Sequence, residues 1–508
     1  MERSEEFIKS IQNGYNTKGD SIVIGAAMLD GETFSDAQVK IPLKTLNRHG
    51  LIAGATGTGK TKTLQILAEN LSEKGIPVLM MDLKGDLSGI AKPSPGHEKI
   101  TARHNLIGIN FTPQASPVEI LSLSEQKGVK LKATVSEFGP VLLSRILDLT
   151  ETQTGILSIV FKYCDDNMLP LLDLKDLKKI IFYATEDGKE EFQENYGSMS
   201  KSSTGAILRK IVALEQQGGD RFFGEPSFEV NDLVRITPEG KGYVNIIRLN
   251  DIQDKPKLFS TFMLSLLAEI YSTFPEKGDS EAPELILFID EAHLIFKEAS
   301  DALLDQIESI IKLIRSKGIG IYFVTQNPTD VPKEILSQLG LKIQHSLRAF
   351  TANDRKAIKL TAENYPISEF YDTKSVLTSL GIGEALISAL DEKGRPTPLA
   401  ATMLRAPMSR MDILSNSEID ELIKRSSLIS KYNIDIDRES AYEILNKKIE
   451  QAQKEELKDK AKKERQVVER TTSRSSRRRS DPQSAIIKVL TSATFIRGVM
   501  SILNKAFK

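Results

Sequence analysis

Residues 49–61 read His-Gly-Leu-Ile-Ala-Gly-Ala-Thr-Gly-Thr-Gly-Lys-Thr, and this stretch decides the fold. Its first half, Gly50-Leu-Ile-Ala53, is a short apolar run of the kind that makes a buried strand. Its second half fits G-x-x-x-x-G-K-[S/T], with Gly54, Gly59, Lys60 and Thr61 at the fixed positions. Helical spacing follows, with Leu64, Leu67, Ala68 and Leu71 on one face and Gly75 as the stop. A second apolar run, 76–81, ends at Asp82. Strand, loop, helix and strand in this order predict an α/β fold with a parallel sheet and helical crossovers.

The same loop predicts chemistry. Glycines let the backbone curl until its N–H groups face phosphate oxygens, and the helix behind adds its positive end. Gly54, Ala55, Thr56, Gly57, Thr58, Gly59, Lys60, Thr61 and Lys62 are therefore the expected phosphate cradle. Lys60 is expected to reach the β- and γ-phosphates, and Thr61 to offer its hydroxyl to Mg²⁺. By composition alone the pattern arises at roughly one position in tens of thousands.

Hydrolysis needs carboxylates as well. Residues 284–291 read Glu-Leu-Ile-Leu-Phe-Ile-Asp-Glu, an apolar strand ending in two acids. Asp290 is expected to hold Mg²⁺ and Glu291 to polarise the attacking water. The run 319–325 ends in Gln326, a residue placed to sense a γ-phosphate. Asp82 opens Asp82-Leu-Lys-Gly-Asp86 at another strand end, where serving metal or nucleotide and bracing a loop are equally open. Thr17-Lys-Gly-Asp20 imitates a guanine-reading motif but precedes the loop, so the expected nucleotide is ATP.

Working outward, residues 1–48 read as a small β-rich segment, with runs at 21–27 and 37–43 around an Asp30-Gly31 turn. The ATPase core is expected at 49–112 and again at 241–400. Between them, 113–240 carries helical spacing at 142–149, 154–163, 171–183 and 203–217 and reads as a mostly helical insertion. Strands are expected at 242–249, 285–289, 319–325, 342–347 and 385–390, with helices near 257–274 and 302–317. Residues 401–470 read as a C-terminal helical region, highly charged from 439 onward and without an apolar heptad, hence a solvated single helix. A Ser/Arg linker at 471–483 is expected to be disordered. The tail at 484–508 is apolar on one side and basic, with Lys488, Arg497, Lys505 and Lys508.

The chain has 508 residues and a formal net charge of -1, so any contact with nucleic acid must come from a local patch. The one cysteine, Cys164, excludes a disulfide within the chain. No apolar run approaches the ~20 residues of a membrane span. With a start, Met-Glu-Arg-Ser-Glu-Glu, that lacks an apolar signal core, a soluble cytoplasmic protein is expected.

Together the P-loop, Asp82-Leu-Lys-Gly-Asp-Leu87, Phe222-Phe-Gly-Glu-Pro226, the Asp290-Glu291 strand, Thr325-Gln-Asn-Pro328, Leu336-Ser-Gln-Leu-Gly340 and the Ser/Arg linker with its basic tail resemble the HerA-like ATPases of the bacterial YjgR type, in the HerA–FtsK superfamily. The likeness covers about nine-tenths of the chain. It implies a RecA-like P-loop NTPase with a mostly parallel sheet, a helical insertion, a small N-terminal β segment and a helical C-terminal tail. It also implies a homo-oligomer, a hexameric ring with ATP at the seams that moves DNA or protein through its channel. A neighbour's arginine then completes each site: Arg348, in His345-Ser-Leu-Arg348, is the first candidate and Arg315, in Ile314-Arg-Ser-Lys-Gly318, the second. The 48 residues before the P-loop strand are too few for the N-terminal barrel that docks a nuclease in well-studied members, so that partnership is not expected. The leading expectation is a DNA translocase or helicase. The alternative is an ATP-dependent scaffold that engages a protein partner or a membrane surface through the tail at 484–508. A metabolic kinase fits worst, for want of a small-substrate motif.

Overall fold

The structure, a computed structural model, describes residues 2–473 apart from 124, 253–254, 298–300, 435 and 437. The expectations for the linker beyond residue 473 and for the tail at 484–508 lie outside the described residues. The described chain falls into two units, divided between Tyr442 and Glu443.

One twelve-stranded sheet organises the first unit. Its strands are β1 (Ser21–Leu29), β2 (Glu32–Pro42), β3 (Gly50–Ala53), β4 (Val78–Asp82), β5 (Val118–Ser122), β6 (Val129–Lys130), β7 (Val244–Arg248), β8 (Leu285–Ile289), β9 (Ile319–Thr325), β10 (Leu341–Gln344), β11 (Glu384–Ser388) and β12 (Ala400–Leu404). They lie in the order β2-β1-β12-β11-β10-β3-β9-β8-β4-β7-β5-β6. From β10 to β6 every neighbour is parallel, and from β10 back to β2 every neighbour is antiparallel. β3, β4, β8 and β9 are buried at every position. That is the mark of parallel strands covered on both faces, and it explains their unbroken apolar runs.

The N-terminal expectation needs enlarging. Asp30 and Gly31 take φ of 51° and 87°, and Leu29 pairs with Glu32, so the predicted turn is a two-residue hairpin loop. The hairpin is no segment apart, because β1 pairs with β12 (Ala26 with Met403) and extends the main sheet. A helix not expected from the sequence, α1 (Glu2–Gly14), buries Phe7 and Ile11. Phe7 meets Phe34, Phe370 and Tyr371 edge-on, at centroid distances of 6.0, 5.3 and 5.8 Å.

The stretch 113–240 opens with β5 and β6 at one sheet edge before turning helical at Val135–Ile146, Glu151–Asp166, Leu174–Thr185, Lys189–Tyr196 and Lys201–Gln216. Three of these start at capping boxes that the sequence carries in plain view: Thr134 with Glu137, Thr150 with Gln153, and Asp173 with Asp176. Gly139, at φ 65°, kinks the first of them. The region expected as helical from 401 begins inside β12. Beyond it, the helix Ala441–Ser473 enters the second unit, where residues 451–467 are exposed, as expected of a solvated helix. Among the described residues no helix is long and apolar enough to cross a membrane.

Candidate nucleotide site

Parallel pairing brings distant sequence together. Ala53 is in register with Thr325 and Gln344, and Ile289 with Met81 and Phe323. The carboxyl ends of β3, β4, β8, β9 and β10 therefore share one edge, where α/β folds bind ligands.

At that edge β3 passes into the glycine-rich loop, and α2 (Lys60–Glu73) starts behind it. Gly54, Gly57 and Gly59 have φ of 152°, 80° and 113°, and the last two lie in the left-handed region that favours glycine. A Cβ on Gly54 would stand 2.5 Å from His345 Cβ, so glycine is also required by close approach. The loop is held from below. Ala55 N–H donates to Ser346 O at 2.9 Å, Gly383 N–H to Thr58 O at 3.0 Å, and Thr63 Oγ1 and His345 Nε2 bond at 2.9 Å. Burial pushes the His345 imidazole down to about 4, so it is a neutral strut at physiological pH.

Lys60 Nζ donates to Gly54 O and Ala55 O at 2.6 and 3.1 Å. Burial, helped by Lys84, holds its ammonium below the usual lysine range. Thr61 and Lys62 are half-buried at the helix start. Lys62 Nζ turns away to Met411 O at 2.5 Å and Gln65 Oε1 at 3.4 Å. Its part in the expected cradle thus falls to its backbone N–H.

Asp290 and Glu291 follow β8 and are 4% and 8% exposed. Asp290 Oδ1 accepts from Glu291 N–H at 2.9 Å, and Glu291 has φ 47°. Burial raises the Asp290 carboxyl to about 6 against the pull of Lys84. Glu291 Oε1 lies 2.5 Å from Lys84 Nζ. Burial alone would lower the Lys84 ammonium, but Asp290 and Glu291 raise it. Lys84 is the residue that sequence reasoning missed, although it sits in the Asp82-Leu-Lys-Gly-Asp86 stretch already singled out.

The structure decides between the two readings of Asp82. Its carboxylate accepts from the N–H groups of Gly85, Asp86 and Leu87 at 2.7, 3.1 and 3.2 Å, so it braces the loop that carries Lys84.

A cleft of about 800 Å³ opens beside the loop and is lined by Ala55, Thr56, His293, Gln326 and Arg348, among others. Gln326 and Arg348 are exposed in it. Arg315 is not brought to the loop of its own chain. It precedes β9, at the opposite edge of the sheet, where burial and Arg48 hold its guanidinium below the usual arginine range.

The donor set fits a nucleoside triphosphate with Mg²⁺. The loop offers N–H groups around two left-handed glycines, a buried ammonium stands at its helix, and Glu291 Oε2 is a buried acceptor without a hydrogen bond from the described residues.

Comparison with known proteins bears on the family and the fold. The DNA double-strand break repair helicase HerA of Sulfolobus acidocaldarius is 23% identical over 70% of this chain and 64% of its own length. The protein of that name from Saccharolobus solfataricus is 26% identical over 76% of this chain and 69% of its own. The chain thus spans a little under two thirds of the first of these relatives. Among solved structures, the bacterial conjugative coupling protein TrwB superposes with a TM-score of 0.52 at 15% identity, over 80% of this chain and 95% of that one. TrwB bound to a non-hydrolysable ATP analogue gives 0.51 at 16%, over 78% and 99%. These structural likenesses show the fold, that of a RecA-like P-loop NTPase. The family model described as helicase HerA-like C-terminal matches residues 28–506, and the chain belongs to that family, within the HerA–FtsK superfamily.

Proposed function

We propose that this protein is an ATP-hydrolysing motor that works as a homo-oligomeric, hexameric ring and acts on DNA as a translocase or helicase. The observation that carries the reading is one sheet edge holding both a P-loop and the buried Asp290-Glu291 pair. The first feature binds phosphates; the second supplies what hydrolysis requires. DNA as the load is supported by the relatives, which carry the name of DNA repair helicases.

In this reading the N–H groups of residues 54–62 hold the phosphates, and Lys60 leaves its loop carbonyls to neutralise them. Thr61 and Asp290 would hold Mg²⁺, which when bound would offset phosphate charge. Glu291 takes the proton of the attacking water, and Gln326 senses the terminal phosphate from the cleft wall. A neighbour's Arg348, or failing it Arg315, completes the site across a seam. The buried thiol of Cys164 suits a reducing, cytoplasmic setting.

The test compares wild type with Glu291→Gln, each with and without duplex DNA over a salt series. Wild type should hydrolyse ATP several-fold faster with DNA, and the gain should fade with salt. Glu291→Gln should bind ATP and lose at least ~100-fold in turnover. Wild-type turnover in that variant would reassign the water-activating residue, and indifference to every nucleic acid would turn the reading toward a protein load.

A further inference from the structure

Lys84 belongs neither to the glycine-rich loop nor to the strand-end carboxylates, yet it touches the residue proposed to activate water. The segment presenting it is fixed by the three bonds to the Asp82 carboxylate and turned by Gly85 at φ 77°. Glu291 is fixed on its side by its left-handed backbone and its N–H bond to Asp290 Oδ1. Its two oxygens stand in different circumstances. Oε1 is taken by the Lys84 ammonium at 2.5 Å. Oε2 is buried and receives no hydrogen bond from the described residues. His293 Nδ1 lies 3.3 Å from it but forms no hydrogen bond with it. A buried acceptor left in this way is where a water belongs. Exposed ion pairs contribute little, but the Glu291 side chain is only 11% exposed, and here the pair sets an orientation.

We propose that Lys84 is a positioning residue for hydrolysis: it anchors Glu291 through Oε1 so that Oε2 faces the attacking water. The proposal rests on Glu291 being the water-activating residue. In the step it serves, water oxygen bonds to the terminal phosphorus while the bond to the bridging oxygen breaks, its electron pair leaving with ADP. The water's proton passes to Glu291 Oε2. Freed from Lys84, the carboxylate rotates about its side-chain bonds and spends most of its time misaimed. Substrate binding should change little, because the Lys84 ammonium pairs with Glu291 and acts on the cradle only through its charge beside Lys60.

The experiment measures kcat, KM and the affinity for a fluorescent ATP analogue in Lys84→Met, Lys84→Arg, Glu291→Gln and the Lys84→Met/Glu291→Gln double variant. Lys84→Met should lose roughly 10- to 100-fold in kcat, the scale of misplacing a catalytic group by an ångström. Its analogue affinity should stay within about twofold, which also reports a folded site. Lys84→Arg should recover most of the loss, since guanidinium also pairs with carboxylate. The double variant should be no slower than Glu291→Gln, because Lys84 acts through Glu291. Three results would overturn the proposal: unchanged kcat in Lys84→Met, a fall in analogue affinity that tracks the fall in rate, or a double variant slower than Glu291→Gln. The last two place Lys84 on the phosphates instead. Wild-type turnover in Glu291→Gln alone would overturn the underlying reading separately.

Discussion

Lys60 and His49 show what single side chains do at this edge and at the opposite one. Lys60 is buried beside the loop, and its ammonium is held by two carbonyls. If it moves to phosphate, Lys60→Ala should weaken binding of a fluorescent ATP analogue by roughly 10- to 100-fold, the worth of one charged hydrogen bond. Equal binding by wild type and variant would remove Lys60 from the cradle. His49 Nε2 faces Ile311 O at 2.9 Å, and its Nδ1 faces Ile321 N–H at 3.0 Å. A carbonyl only accepts and an N–H only donates, so the ring is neutral with its proton on Nε2. Burial pushes it from 6.5 down to about 4. Below pH 6.5 the unfolded chain takes up a proton that the folded one refuses, so stability falls as pH drops from 6.5 toward 4. The loss approaches about 3 kcal/mol at ~1.4 kcal/mol per pH unit. Urea unfolding at pH 5 and pH 8 should show a smaller drop in His49→Gln than in wild type. An equal drop in both would mean that the ring is already charged when folded.

Among the elements, α1 and the β1–β2 hairpin show where local reading stops. Asp30-Gly31 is legible because a two-residue loop with both φ positive admits few residue types. α1 is hard to read because only Phe7 and Ile11 are buried along its thirteen residues, and two such positions do not declare a period. What holds it is tertiary: the Phe7 ring sits among Phe34, Phe370 and Tyr371. Phe7→Ala should cost about 3–5 kcal/mol in unfolding free energy with ATP binding retained below the transition. A loss under about 1 kcal/mol would show that α1 is dispensable. β5 and β12 are obscure for another reason. Val118-Glu-Ile-Leu-Ser122 hides a buried Glu119 that pairs with Arg235 at 2.6 Å, and Ala400-Ala-Thr-Met-Leu404 has little β preference of its own.

For the whole molecule, the proposed seam between subunits makes the arginines the parts to test. Arg348 lines the cleft of its own loop, whereas Arg315 stands at the far edge of the sheet. Mixing two inactive variants separates the cases. Lys60→Ala subunits keep their arginines, and Arg348→Ala subunits keep their loops. If Arg348 acts in trans within a ring, equal mixing should restore turnover at up to roughly a quarter of seams, those with both parts intact. A mixture as dead as its components would place Arg348 in its own site, and the same mixing with Arg315→Ala then tests the second candidate. Deleting residues 484–508 and measuring mass by light scattering asks whether the tail is needed for assembly, and an unchanged mass would free it for another partner.

The sequence by itself determined the loop, its strand and helix, the carboxylate-ended strand and hence the parallel core, because each of these is set by contiguous residues under local rules. It could also name Asp82-Leu-Lys-Gly-Asp86 without assigning its parts. Only the tertiary structure decided that Asp82 braces the turn while Lys84 grips Glu291, that the N-terminal hairpin extends the main sheet through β12, and that Arg348 and Arg315 stand at opposite edges. The physical reason is plainest for Lys84 with Glu291 and for β1 with β12. Strand register and side-chain reach join residues hundreds of positions apart, and no local periodicity records which partner lies across the sheet.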